Sequence, residues 1–158
     1  MGEPPVSMRG LVVGIVNTLR GDDGLGPRTV ALLDRTGFAG HHVATMAVPQ
    51  IDITLVSSLA AVDYAVFVDA GVQDSDEDVA VLPCDSPEPD AHLGHTSHAL
   101  SIPSLLAFTR QLYGRAPNCY LVVLRGYDFS IGERLSPQAE VNLQLAAKNV
   151  IDLISAMA

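Results

Sequence analysis

Basic side chains are scarce in this sequence, since 9 Lys and Arg residues stand against 18 Asp and Glu residues and leave a net charge of -9 at pH 7. An acidic surface of this kind repels phosphate backbones and anionic lipid headgroups, so nucleic acids and membrane surfaces are poor partners. No apolar run approaches the roughly 20 residues that cross a bilayer, and the first residues lack the basic and apolar segments of a targeting peptide. We therefore expect a cytoplasmic protein.

Cysteine is also rare, with Cys84 and Cys119 as its two occurrences. By themselves they can form neither a zinc knuckle nor a disulfide framework, so a hydrophobic core must hold the fold. The chain of 158 residues is 48% hydrophobic, which suffices for a single core. We expect one domain over residues 1–158, present as a monomer.

The loop after the first apolar run lacks both common phosphate-binding signatures. Residues 17–26 contain neither G-x-G-x-x-G nor a Gly-Lys pair followed by Ser or Thr. The adjacent acids Asp22 and Asp23 would also repel a phosphate. Capping of the next helix explains one of these acids and leaves the other free for another role.

Short β-branched runs alternate with longer amphipathic stretches, which is typical of an α/β protein. The pattern predicts strands at 10–16, 43–48, 64–68, 79–83 and 119–124, and helices from 26, over 53–62, over 103–113 and from 137. Gly114 should end the third helix, and the last helix should bury Leu143, Ala146, Ala147, Val150, Ile151, Ile154 and Met157. The expected architecture is a three-layer α/β/α domain with a mostly parallel, twisted sheet of about five strands.

In a parallel sheet of this kind the carboxyl ends of the strands carry the site, because the connections separate there where the strand order reverses. Asp69 directly follows the apolar run 64–68, where an unpaired acid is costly to bury. The structural alternative is a turn-forming Asp beside Gly71. His92 and His95 fit a solvated loop, whereas His98 lies just before the third helix.

Asp23, Asp69 and His98 together offer two carboxylates and an imidazole. This ligand set suits nickel, zinc, copper or iron, and three protein ligands leave coordination positions open for a substrate. The sequence thus predicts a metal site if the fold brings the three side chains together.

Several motifs, in order along nearly the whole chain, resemble those of the hydrogenase maturation endopeptidases. The matching segments are 14–26 (GIVNTLRGDDGLG), Gln50, 66–70 (VFVDA), 97–100 (SHAL), 112–114 (LYG) with Pro117, and 132–137 (GERLSP). The resemblance implies a peptidase that trims a C-terminal extension from the large-subunit precursor of a nickel-iron hydrogenase after the metal has been inserted. It further implies that an acid of the first loop, an Asp after the third strand and a His before the next helix bind nickel.

The family's metal-binding positions correspond to Asp23, Asp69 and His98, which are our candidate catalytic and metal-binding residues. Two departures from the family pattern affect the first loop: Val16 stands where glycine is usual, and Asp23 stands where Glu is common, with Asp22 as a rival ligand. We expect nickel to arrive with the precursor and no cofactor to be tightly bound. A site made of only a few exposed ligands binds a free divalent metal weakly.

Two other classes of function remain open on the residues alone. A different metal-dependent hydrolase would keep the three residues but act without a nickel-loaded precursor. A non-catalytic assembly or binding module would use the acids as caps and turn formers, and Asp69→Asn would then leave its ligand binding nearly intact.

Overall fold

A computed structural model of the protein describes residues 8–15, 25–36, 42–71, 79–84, 101–125 and 137–157, and the statements below concern these ranges. Within them lie five strands: β1 (Arg9–Ile15), β2 (His42–Val48), β3 (Tyr64–Gly71), β4 (Val79–Pro83) and β5 (Asn118–Arg125). The helices in these ranges are α1 (Leu25–Thr36), α2 (Val56–Ala60), α3 (Ile102–Tyr113) and α4 (Pro137–Met157), and a 3-10 turn over Ile53–Leu55 precedes α2.

The strands form one sheet in the order β2-β1-β3-β5-β4. The neighbours β2, β1, β3 and β5 are parallel, and β4 is antiparallel to β5 at the edge of the sheet. The expected five-strand, mostly parallel sheet is confirmed. The central strand β3 is buried from Tyr64 to Val68, which explains why its sequence is a continuous apolar run.

Helices cover both faces of the sheet. On one face, side chains of α2 and α3 such as Leu59 and Leu105 pack with Phe67 of β3. On the other face, side chains of α1 and α4 such as Leu33 and Val150 form a second buried cluster with the strand side chains that point to that face. The result is the predicted three-layer α/β/α arrangement.

The ends of α3 follow from its sequence. Ser101 is the N-cap, and its Oγ accepts a hydrogen bond from the backbone N–H of Ser104 at 3.2 Å. Gly114 ends the helix with a φ of 76°, a left-handed conformation that glycine adopts without a side-chain clash. The prediction that Gly114 terminates this helix is confirmed.

Three sequence-based expectations need correction. The helix expected over 53–62 is a 3-10 turn followed by the five-residue α2. The strand expected to stop at Val68 continues through Asp69 to Gly71. On α4, Ile151 is 37% exposed because it lies at the margin of the buried face, and the polar Asn142 is buried instead.

In the part of the chain that the structure describes, no helix is both long and apolar enough to cross a membrane.

Candidate functional site at the carboxyl edge of the sheet

The strand order reverses between β1 and β3. From β1 the chain continues through α1 on one face to β2, and it then passes through α2 on the opposite face to β3. Connections that leave a parallel sheet on opposite faces separate at its carboxyl edge and open a crevice between the two strands concerned. By this rule, the topology predicts the crevice above the carboxyl ends of β1 and β3.

Asp69 is placed at this edge. It comes one residue after Val68, which pairs with Gly14 of β1, and on the other side of β3 it pairs with Val123 of β5. Its side chain is half-buried. Because side chains alternate along a strand and Phe67 packs among α2 and α3, Asp69 is directed toward that same face.

The turn-forming explanation of Asp69 is wrong. Residues Asp69 to Gly71 remain paired with β5 and belong to the strand. A half-buried carboxylate at the end of an otherwise apolar strand requires compensating interactions.

Two helices, one on each face of the sheet, have their N-terminal ends toward the carboxyl edge at which Asp69 lies. The first, α1, leads back from the carboxyl end of β1 toward the start of β2. The second, α3, ends at the amino edge, where Arg115 donates to the carbonyl oxygen of Val62 at 3.1 Å, so its N-terminal end points toward the carboxyl edge. Helix N-termini carry partial positive charge and stabilise nearby anionic groups.

The other predicted ligands lie outside the described residues. In the sequence Asp23 comes two residues before the start of α1, and His98 comes three residues before Ser101, the N-cap of α3. Asp22, His92 and His95 are also outside the described ranges. Among the described residues there is no group of three metal-ligating side chains, so the convergence of Asp23, Asp69 and His98 stays a prediction.

A second acid, Asp52, follows β2 at the same edge but has a local structural role. It caps the 3-10 turn, accepting hydrogen bonds from the hydroxyl of Thr54 and from its backbone N–H, the latter at 3.0 Å. These bonds, the hydroxyl first, hold the pKa of the Asp52 carboxyl below its usual value, and the side chain of Gln50 adds to the effect. Sequence reasoning missed this cap, although Asp is one of the residues preferred at the N-cap position.

The charged residues at the opposite, amino edge are also structural. Asp63 accepts the backbone N–H of Arg9 at 2.8 Å and the guanidinium of Arg115 at 3.0 Å. The bond from Arg9, followed by that from Arg115, holds the pKa of the Asp63 carboxyl below its usual value, while partial desolvation opposes the shift. The contacts join the beginnings of β1 and β3 to the segment before β5, and they lie at the far end of β3 from Asp69.

Structural comparison finds the same fold in solved structures over nearly the whole chain. The hydrogenase maturating endopeptidase HybD from E. coli is 21% identical over 96% of this chain and 94% of its own, with a TM-score of 0.78. The nickel-iron hydrogenase maturation protease HycI from Thermococcus kodakarensis is 18% identical over 96% and 95%, with a TM-score of 0.71. A hydrogenase 2 maturation peptidase from a Thaumarchaeota archaeon is 21% identical over 93% and 98%, with a TM-score of 0.65.

No family model matches the chain, and the comparison with curated proteins found no significant match either. At identities near one fifth, the structural likeness establishes the fold. The α/β/α fold expected from the alternation of strands and helices is therefore shared with these structures.

Proposed function

We propose that this protein is an endopeptidase that removes a C-terminal extension from the large-subunit precursor of a nickel-iron hydrogenase. The observation that carries the proposal is the fold shared over at least nine tenths of both chains with structures named as hydrogenase maturation proteases. The location of Asp69 supports it, since a sequence motif of that family falls on the carboxyl edge beside the strand-order reversal.

In this proposal Asp69, Asp23 and His98 bind the nickel of the precursor. The half-buried carboxylate of Asp69 supplies a hard oxygen donor from the rigid central strand. Asp23 and His98 precede α1 and α3, two helices whose N-terminal ends point toward the same edge. The donor set of two carboxylates and one imidazole fits a divalent transition metal and leaves further coordination positions to the precursor.

Nickel is here part of the substrate, because the three side chains complete the coordination of a metal that the precursor already holds. A bound divalent metal polarises a peptide carbonyl and lowers the pKa of a water molecule, which are two requirements of peptide hydrolysis. The same three residues would thereby test whether the metal has been inserted and direct cleavage to a completed precursor. The purified protein should contain substoichiometric metal, and a tightly bound stoichiometric zinc would contradict this form of the proposal.

The test compares two forms of a purified hydrogenase large-subunit precursor, one loaded with nickel and one free of it. Each is incubated with the protein, and loss of the C-terminal peptide is followed by mass spectrometry. We expect cleavage of the loaded form alone. Cleavage of neither form would refute the proposal, and equal cleavage of both would refute the recognition of nickel.

Asp69→Asn should slow cleavage by at least about 100-fold, because loss of even an outer partner of a metal ligand costs about 10- to 100-fold. Asp152→Asn is the matched control, since it makes the same chemical change at an exposed position of α4. Far-ultraviolet circular dichroism checks that both variants are folded. Equal activity of the two variants would remove Asp69 from the site.

The rival acids of the first loop are separated by the same assay. Asp23→Asn should abolish cleavage of the nickel-loaded precursor, and Asp22→Asn should retain it. The reverse result would assign the ligand to Asp22 and leave the proposed function standing.

A further inference from the structure

The two cysteines of the chain face each other across the edge of the sheet. The β4–β5 register pairs Pro83 with Tyr120, so the next opposed residues are Cys84 and Cys119. The backbone N–H of Cys84 donates to the carbonyl oxygen of Cys119 at 3.0 Å, which continues the ladder by one step. Although 34 residues lie between them in the sequence, the antiparallel pairing of β4 with β5 makes them neighbours.

Their side chains lie on the same face of the sheet. Both are buried, with exposures of 5% for Cys84 and 7% for Cys119, and both belong to the cluster packed against α2 and α3. Opposed residues of an antiparallel pair have Cα atoms about 4.5 to 5.5 Å apart, within the range of about 4.4 to 6.8 Å that disulfides span. Cys84 is the first residue after β4, so its backbone can adjust without breaking a longer ladder.

The two thiols form no disulfide in the structure. The Sγ of Cys84 lies 3.9 Å from the carbonyl oxygen of Leu82, and the Sγ of Cys119 lies 4.0 Å from that of Tyr120. Thiol hydrogen bonds are weak, and both of these are long, so neither bond holds its sulfur atom firmly.

A cavity of about 270 Å³ reaches both cysteines from the surface. It lies between α3 and the adjoining ends of β4 and β5, and the exposed Arg110 forms part of its lining. The positively charged guanidinium of Arg110 attracts an anionic reagent to this cavity. Among the described residues, both buried cysteines therefore line a space large enough to admit part of a small molecule.

We propose that Cys84 and Cys119 form a redox site that closes to an intramolecular disulfide when it meets a small anionic disulfide such as oxidised glutathione. One cysteine thiolate attacks the small disulfide, whose S–S bond breaks as a mixed disulfide forms and one small thiol leaves with a proton. The second cysteine then attacks the protein sulfur of the mixed disulfide and releases the other small thiol. Two protein thiols are oxidised while one small disulfide is reduced to two thiols, so electrons and protons balance.

The test treats the folded protein with oxidised glutathione and measures its intact mass. We expect the wild-type protein to lose two hydrogen atoms, to carry no persistent glutathionyl group, and to regain its mass on reduction. Digestion without reduction should yield one peptide pair linked through Cys84 and Cys119. A linkage between two chains, an accumulating mixed disulfide, or thiols that react only after denaturation would each overturn the proposal.

Single substitutions supply the matched controls, because each leaves one cysteine in the chain. Cys84→Ala and Cys119→Ala should each retain a stable glutathionyl group, since the resolving thiol is absent. Arg110→Gln should slow oxidation of the wild-type pair several-fold while the product stays the same. If a cysteine variant fails to fold, the peptide map of the oxidised wild-type protein still decides the outcome.

Discussion

Gly10 of β1 pairs with Tyr64 of β3, and the tyrosine ring lies against the glycine. A Cβ atom added to Gly10 would lie 2.2 Å from Cε2, 2.3 Å from Cζ and 2.6 Å from Oη of the tyrosine ring. Ordinary contacts between carbon atoms are about 3.5 to 4.0 Å, so ring and methyl must separate by more than about 1 Å. The ring is 0% exposed and packed among buried side chains, so it has no open space to enter.

We therefore predict that Gly10→Ala destabilises the protein by about 2 to 3 kcal/mol, the upper part of the range for overpacked cores. For a chain of this size that loss lowers the melting temperature by about 4 to 12 °C. The measurement is urea unfolding followed by far-ultraviolet circular dichroism, because the chain has no tryptophan to report by fluorescence.

A double-mutant cycle isolates the contact. Tyr64→Leu removes the ring atoms that meet the new methyl group. In the Tyr64→Leu background, Gly10→Ala should therefore lower the free energy of unfolding by less than about 1 kcal/mol. Tyr64→Phe keeps Cε2 and Cζ and should leave the cost unchanged. The Tyr64 hydroxyl is buried and makes no hydrogen bond to another described residue, so Tyr64→Phe by itself should be neutral or stabilising. An equal loss from Gly10→Ala in the wild-type and Tyr64→Leu backgrounds would refute the packing explanation.

Three further outcomes are expected. Gly114→Ala should lower the free energy of unfolding by about 1 to 2 kcal/mol through the left-handed backbone alone, because nothing lies within 4 Å of the new Cβ. Gly114→Asn should lower it by less, and an equal loss in the two variants would contradict this cause. Ser101→Ala should cost about 0.5 to 2 kcal/mol through the lost cap, with faster amide exchange in the first turn of α3 than elsewhere. Folding lowers the pKa of the Asp63 carboxyl below its usual value of 3.8. The ionised carboxylate therefore contributes its full stabilisation at pH values well above 3.8, and this contribution is lost as the pH falls through the pKa of the folded state. The urea midpoints of wild type and Asp63→Asn should differ only modestly, because the side chains of Arg115 and Asp63 are 51% and 34% exposed. This difference should shrink as the pH is lowered from 7. A difference that does not change with pH would count against the charge effect.

Most element positions were predictable because each is encoded by neighbouring residues. The runs of β-branched side chains located all five strands of the described sheet to within a few residues. Pro137 at the start of α4 and Gly114 at the end of α3 act through local backbone geometry, so they too could be interpreted directly. The helix expected over 53–62 was too long because Asp52 and Thr54 form a local cap that favours a 3-10 turn first.

The candidate site was predictable in part. Asp69 stood out because an acid after an apolar run is unusual, and the structure places it at the carboxyl edge of the sheet beside the reversal of the strand order. Its membership of the strand depends on pairing with β5, which lies some 50 residues further along the chain. The facing of Cys84 and Cys119 was missed for the same reason, since it results from the antiparallel direction of β4.

The sequence by itself determined where strands and helices form and which residues carry charge and metal-binding chemistry, because these depend on side-chain periodicity and on backbone preferences within a few residues. Only the tertiary structure decided the order β2-β1-β3-β5-β4, the reversed direction of β4 and the separation of buried side chains onto two faces. Those features arise from hydrogen bonds and packing between segments distant in sequence, for which no local pattern specifies the partner.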